Sequence, residues 1–176
     1  MFLSRPLHAL LALIVCLLAG CGARSSDLPT RSHPMGEKVP MGKLTYIVFE
    51  TEYLTQIGDG PAPRIPQNRF FLVKLSVSSG ASDTVNVAPF QVEDENGNAY
   101  PELNNGDGVP EWIGYLRSLK PGETAQGNAV FDAPPRHYRI RVHDEAGEKS
   151  ALIDIPLTFN AETPDVRVPG DPTGKQ

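Results

Sequence analysis

Apolar residues in this chain recur at every second position over most of its length, and that period restricts the fold to β-structure. Phe71, Val73, Leu75 and Val77 alternate with Lys74, Ser76 and Ser78, which predicts a strand with one buried and one wetted face. Leu44, Tyr46 and Val48 interleave with Thr45, Ile47 and Phe49, continuing to about Tyr53. Both parities there are apolar, so that strand is expected to be buried on both sides. Ala125, Gly127, Ala129 and Phe131 alternate with Gln126 and Asn128, and Tyr138, Ile140 and Val142 with Arg139, Arg141 and His143. Ala151, Ile153 and Ile155 make the last strand. No useful helical stripe and no internal repeat is visible.

Glycine and proline divide these runs. Gly58, Gly60, Pro61, Pro63 and Pro66 mark a loop, and Ser79-Gly80 ends the strand from Phe71. Val85 and Val87 begin a further strand that breaks at Pro89, after which Phe90 and Val92 resume in shifted phase. A bulge or a change of sheet at Pro89 accounts for the shift. Asn96-Gly97 predicts a hairpin with a type I′ turn, whose two central residues need positive φ. Pro121-Gly122 is a turn with Gly in the left-handed position, Pro134-Pro135 stop a strand, and Glu145 to Glu148 make another turn. Seven or eight short strands with regular turn signals predict an all-β fold, an immunoglobulin-like antiparallel β-sandwich.

The first 20 residues read as a targeting segment. Arg5 precedes an apolar run from Leu7 to Ala19, too short for a membrane span, which needs roughly 20 apolar residues. Leu18-Ala19-Gly20-Cys21 resembles a bacterial lipobox, which implies cleavage before Cys21 and lipid on its thiol. Lipid chains anchor through about 0.8 kcal/mol per buried methylene. Gly22, where inner-membrane lipoproteins of enterobacteria carry Asp, favours the outer membrane in a Gram-negative host. Four segments follow: a signal peptide (1–20), a lipidated N-terminus and flexible tether (21–41), the sandwich (42–160) and a disordered, Pro- and Gly-rich tail (161–176).

Of the two cysteines, Cys16 lies in the leader, so the mature chain has no disulfide and no Cys metal site. Sixteen basic residues face 21 acidic ones, and removal of a leader containing Arg5 leaves 15 against 21, a charge of −6. That balance argues against nucleic acid as a partner.

The run Phe71-Leu72-Val73-Lys74-Leu75-Ser76-Val77 is followed by Phe90-Gln91-Val92-Glu93-Asp94-Glu95-Asn96-Gly97-Asn98-Ala99-Tyr100. Then come Leu119-Lys120-Pro121-Gly122-Glu123 and Gly127-Asn128-Ala129-Val130-Phe131-Asp132-Ala133-Pro134. In this order the pieces resemble the telokin-like, immunoglobulin-fold domain of unknown function found in bacterial lipoproteins. They are also similar to a secreted immunogenic mycobacterial protein. The resemblance implies a sandwich in a lipoprotein context and no catalytic residues. Ser78-Ser79-Gly80 departs from the Asn-rich turn usual in the family.

No Gly-x-Ser-x-Gly nucleophile motif, phosphate loop or dinucleotide fingerprint is present. The residues therefore predict a non-enzymatic protein with no cofactor and no metal site. His137 and His143, on one predicted strand, stand about 20 Å apart at 3.3 Å per residue and cannot share an ion. Glu93-Asp94-Glu95 lacks the spacing of a calcium loop and reads as a solvated turn. Two candidate contact surfaces remain. Arg139 and Arg141, with His137 and His143, form a basic stripe that either meets an anionic partner or pairs with acidic residues on a neighbouring strand. Trp112 and Tyr115, with Ile113 and Leu116, lie on an irregular segment; they either contact an envelope protein or glycan or plug the open end of the sandwich. The leading expectation is a lipid-anchored binding or structural module of the cell envelope, and the alternative a periplasmic small-ligand or metal-binding lipoprotein.

Overall fold

A computed structural model describes residues 31–58 and 61–157. The lipobox with Cys21, the leader and the tail from 161 lie outside the described residues. Among these residues, eleven strands form two packed sheets and a ribbon. The first sheet has the order β1-β11-β10-β6-β7, from Ser32–Pro34 (β1), Ser150–Ile155 (β11), Tyr138–His143 (β10), Gln91–Asp94 (β6) and Ala99–Pro101 (β7). The second has the order β2-β3-β4-β9, from Val39–Met41 (β2), Leu44–Leu54 (β3), Phe70–Ser79 (β4) and Thr124–Asp132 (β9). Val85–Val87 (β5) and Arg117–Leu119 (β8) pair with each other alone.

The β-sandwich expected from the period-two pattern is present. Alternate residues of both sheets meet in one core that includes Tyr46, Phe71, Leu75, Phe131, Tyr138, Ile140 and Ile153. Phe71 stacks on Tyr53 at 4.5 Å between ring centroids and meets Tyr138 at 5.3 Å, separations at which aromatic pairs attract beyond their area burial. The Tyr46 hydroxyl donates to the His143 carbonyl at 2.8 Å and ties the sheets together. The break at Pro89 is a change of sheet, since β5 lies in the ribbon and β6 in the first sheet.

Several expectations need correction. Residues 32–41, read as tether, supply β1 and β2. β1 runs parallel to β11, with Ser32 opposite Leu152, and β2 pairs with β3. Each is three residues long and carries a proline on a sheet edge, where a missing N–H is tolerated; too few side chains are buried to show a period. β3 is not buried on both faces. Leu44, Tyr46 and Val48 point inward, while a bulge between Val48 and Glu50 leaves Phe49 exposed. β4 is the strand covered on both sides. Phe70 and Leu72, on its outer face, join Val130, Ile57 and Val109 in a second small cluster beneath two loops.

The hairpin at Asn96-Gly97 exists, but its turn is not type I′. Only Gly97 of the pair has positive φ, at 80°. Gly97 N–H donates to the Asp94 carbonyl, and Asp94 N–H to the Asn98 carbonyl, both at 3.0 Å. That is a three-residue loop, a type I turn followed by a left-handed glycine. Buried Asp94 selects it by accepting from the N–H groups of Asn96 and Asn98 and from Asn98 Nδ2 at 2.8–2.9 Å. Asp144-Glu145-Ala146-Gly147 reuses the device: Asp144 Oδ1 accepts from the Glu148 and Lys149 N–H groups, and Gly147 has φ 72°.

Candidate functional site

The segment from Glu102 to Arg117 links β7 to the ribbon and carries the aromatic candidates. It is pinned to the outer edge of β9. Leu103 N–H donates to the Val130 carbonyl at 2.8 Å, Asn128 N–H to Glu111 at 2.8 Å, and Ile113 N–H to Asn128 at 3.1 Å. The segment thus covers an edge strand whose unpaired N–H and C=O groups would otherwise attract another chain. Arg64 braces it from a second loop, donating to the carbonyls of Asp107 at 2.7 Å and Asn105 at 3.0 Å.

Trp112 lies on this edge and is not the end plug considered from sequence. Its indole rests on Gly106, where a Cβ would overlap the ring, and it remains 36% exposed. Two neighbours fill the interior instead: Ile113 packs against the main core and Val109 joins the second cluster. A parallel bridge to Asn128 holds Trp112 at the edge of β9. Glu111, just before it, is the one described non-glycine residue with positive φ, at 46°. It is held there by its carbonyl bond to Asn128 and a 2.7 Å ion pair with Lys74. Tyr115 is half-buried, whereas Leu116 is 89% exposed. Leu116 borders a groove of about 550 Å³ between the β5–β8 ribbon and the Asp144–Gly147 turn, with Pro89, Ser118 and Glu145 among its walls.

Immediately after Leu116 the chain turns inward. Arg117 and Glu102 form an ion pair with side chains 2% and 0% exposed. Glu102 also accepts from the Phe90 N–H at 2.9 Å, and the Arg117 guanidinium lies over the Phe90 ring at 4.5 Å. Burial pushes the Glu102 carboxyl above the ordinary carboxylate range, against the opposing pull of Arg117 and the Phe90 N–H. The pair joins the start of the segment to its end. Sequence reasoning missed it because no spacing rule connects two charges on an irregular stretch.

Within the basic stripe, Arg141 is paired across the sheet and is not a free cation. Arg141 makes a two-pronged contact with Glu93, Nε to Oε1 at 2.6 Å and Nη2 to Oε2 at 3.0 Å, and donates to Ser150 Oγ at 2.9 Å. Arg141 in turn holds the Glu93 carboxyl below its usual range. Arg139 stands in register between Glu93 on β6 and Asp154 on β11. These arginines are on the first sheet and Trp112 is on the edge of the second, so the two candidates do not form one surface. His137 precedes β10 and His143 ends it, where burial followed by the Arg141 charge lowers the His143 pKa. Among the described residues, no three His, Cys, Asp or Glu side chains converge as metal ligands.

Two sheets packed face to face with a strapped edge define a β-sandwich domain. A domain-family model matches residues 33–151, and the chain belongs to that family, a domain of unknown function (DUF4352). None of the curated proteins matches this chain. Among solved structures, it is similar to the yjhA protein of Bacillus subtilis, at 14% identity and TM-score 0.55, covering 70% of this chain and 98% of that one. A secreted protein of Mycobacterium tuberculosis aligns at 16% identity and TM-score 0.52, over 74% and 99% of the two chains. A candidate lipoprotein of Bacillus subtilis, ycdA, aligns at 13% identity and TM-score 0.51, over 70% of this chain but 39% of that one. At these identities the likeness is one of fold.

Proposed function

We propose that this protein is a non-enzymatic binding module of the cell envelope, anchored by lipid on Cys21 and presenting the Trp112–Leu116 segment to a protein or glycan partner. The exposure of Leu116 carries the reading. A leucine 89% exposed, on a segment held at both ends by backbone bonds and a buried ion pair, is a pre-ordered apolar contact that a partner can cover without the cost of ordering a loop. Trp112 and Tyr115 add the amphipathic surface that contact sites favour. The secreted protein and the candidate lipoprotein that share the fold support an envelope location, and Gly22 favours the outer membrane in a Gram-negative host. With β1 beginning at Ser32, the connector after Cys21 is the 10 residues Gly22 to Arg31. Ten residues reach at most about 35 Å even when fully extended, so the domain would work close to the lipid headgroups.

Two measurements test this. Leu116→Glu is expected to leave the melting temperature unchanged, as exposed substitutions do, and to abolish the adduct formed by a photo-crosslinker placed at residue 115 in intact cells. Undiminished crosslinking in that variant would remove the segment from the interface. Cys21→Ser is expected to move the protein out of the membrane fraction or leave its precursor uncleaved; normal processing and retention would refute lipidation. The second reading, a small-ligand protein, has the groove of about 550 Å³ in its favour, a size typical of ligand pockets. It predicts a ligand-dependent rise in melting temperature across a screen of sugars and anions.

A further inference from the structure

A different groove, of about 320 Å³, lies between the β6–β7 turn and the approach to β10, lined in part by Glu95, Arg136, His137 and Leu157. His137 crosses it. Its Nδ1 is 2.9 Å from Glu95 Oε1 and its Nε2 is 2.8 Å from Asp154 Oδ1. An ionised carboxylate only accepts hydrogen bonds, and a neutral imidazole has a single N–H. The neutral ring can therefore serve one of these carboxylates and must turn a lone pair toward the other. Both contacts are hydrogen bonds at once only when the ring carries two protons.

We propose that His137 is a proton-operated clasp, its imidazolium joining the β6–β7 turn through Glu95 to β11 through Asp154, and its deprotonation releasing one of the two. The charged groups around it are few. Asp94, in the same turn, is bonded to Arg136 Nη1 at 2.9 Å, and Arg139 faces Asp154 in register. Glu95, Asp154 and Asp94 favour the cation, while Arg136 and Arg139 oppose it. The balance raises the His137 pKa above the ordinary 6.5, through the Glu95 hydrogen bond first and that of Asp154 after it, against the cost of desolvation. A raised histidine pKa contributes stability that is complete below about 6.5 and lost as pH rises through the folded value. Leu157, in the wall of the same groove, follows β11 by two residues, so the clasp fastens the end of that strand. His137 is a third exposed, and pairs so placed are worth little globally; the expected response is local opening.

The test is an NMR titration of the His137 ring in the whole domain, with His33 and His143 as internal references. Its midpoint is expected above 6.5 and should fall in Glu95→Gln and again in Asp154→Asn. Amide exchange at Asn96, Asn98 and Ile155, corrected for intrinsic rate, should accelerate as pH passes that midpoint, and lose this dependence in His137→Gln. A midpoint at or below 6.5, one indifferent to both carboxylate substitutions, or amides that ignore it would each overturn the clasp.

Discussion

Glu102→Leu is expected to destabilise the sandwich by about 3–5 kcal/mol, the usual cost of stranding one member of a buried ion pair. The variant leaves the Arg117 charge in a site where its side chain is 2% exposed. Arg117 Nε and Nη1 are already buried without a hydrogen-bond partner among the described residues, and lie against the negative face of Phe90, which offsets only part of their desolvation. The intact pair itself adds little net stability, since burial lifts the Glu102 carboxyl despite the guanidinium beside it. Its folded pKa being raised, Glu102 favours the folded state below the ordinary carboxylate range and loses that contribution as pH rises through the folded value. The double change Glu102→Leu with Arg117→Met should therefore recover most of the loss. Urea unfolding of both single variants and the double one measures the coupling. A single-variant loss below about 1 kcal/mol would mean that the freed guanidinium reaches water.

The next largest effect is expected at Gly127. Alanine there should cost about 1–3 kcal/mol, as overpacking does. Its Cβ would overlap the Glu111 carbonyl oxygen and approach the Ile113 nitrogen to 3.0 Å. Both obstacles are backbone, so no rotamer relieves them. The strap must lift from β9, straining the bonds at Asn128 and uncovering Val109. Thermal unfolding measures the cost, and the Trp112 indole resonance, displaced from Gly106, reports where it falls. An unchanged melting temperature together with an unmoved indole would show that the strap yields freely.

Period and punctuation made much of this fold legible. β10 was visible because it buries alternate side chains, β4, β9 and β11 because apolar residues recur at every second position on their inward faces, and the turn at Pro121-Gly122 because only a glycine-like backbone completes it: Gly122 has φ 72°. β1 and β2 were illegible for the opposite reason. Of β1's three residues only His33 is buried, and the strand exists because β11 offers it backbone partners more than 100 residues away. The bulge that exposes Phe49 and the loops that cover Leu72 are likewise properties of neighbouring chain. At the candidate site, sequence located the aromatic segment but not the roles within it. Trp112, the largest side chain, proved to be an edge cover, while Ile113 and Val109 turned inward and Leu116 stayed out. The basic stripe was visible as a stripe; that Arg141 is neutralised depended on Glu93, 48 positions earlier, arriving on the next strand.

The sequence by itself determined that this chain folds as a β-sandwich, because strand period and turn chemistry are local properties carried by neighbouring residues. Tertiary structure alone decided which charges are spent on one another and which apolar residues are left uncovered. Burial and ion pairing are settled between strands distant in the chain, where no local pattern records them.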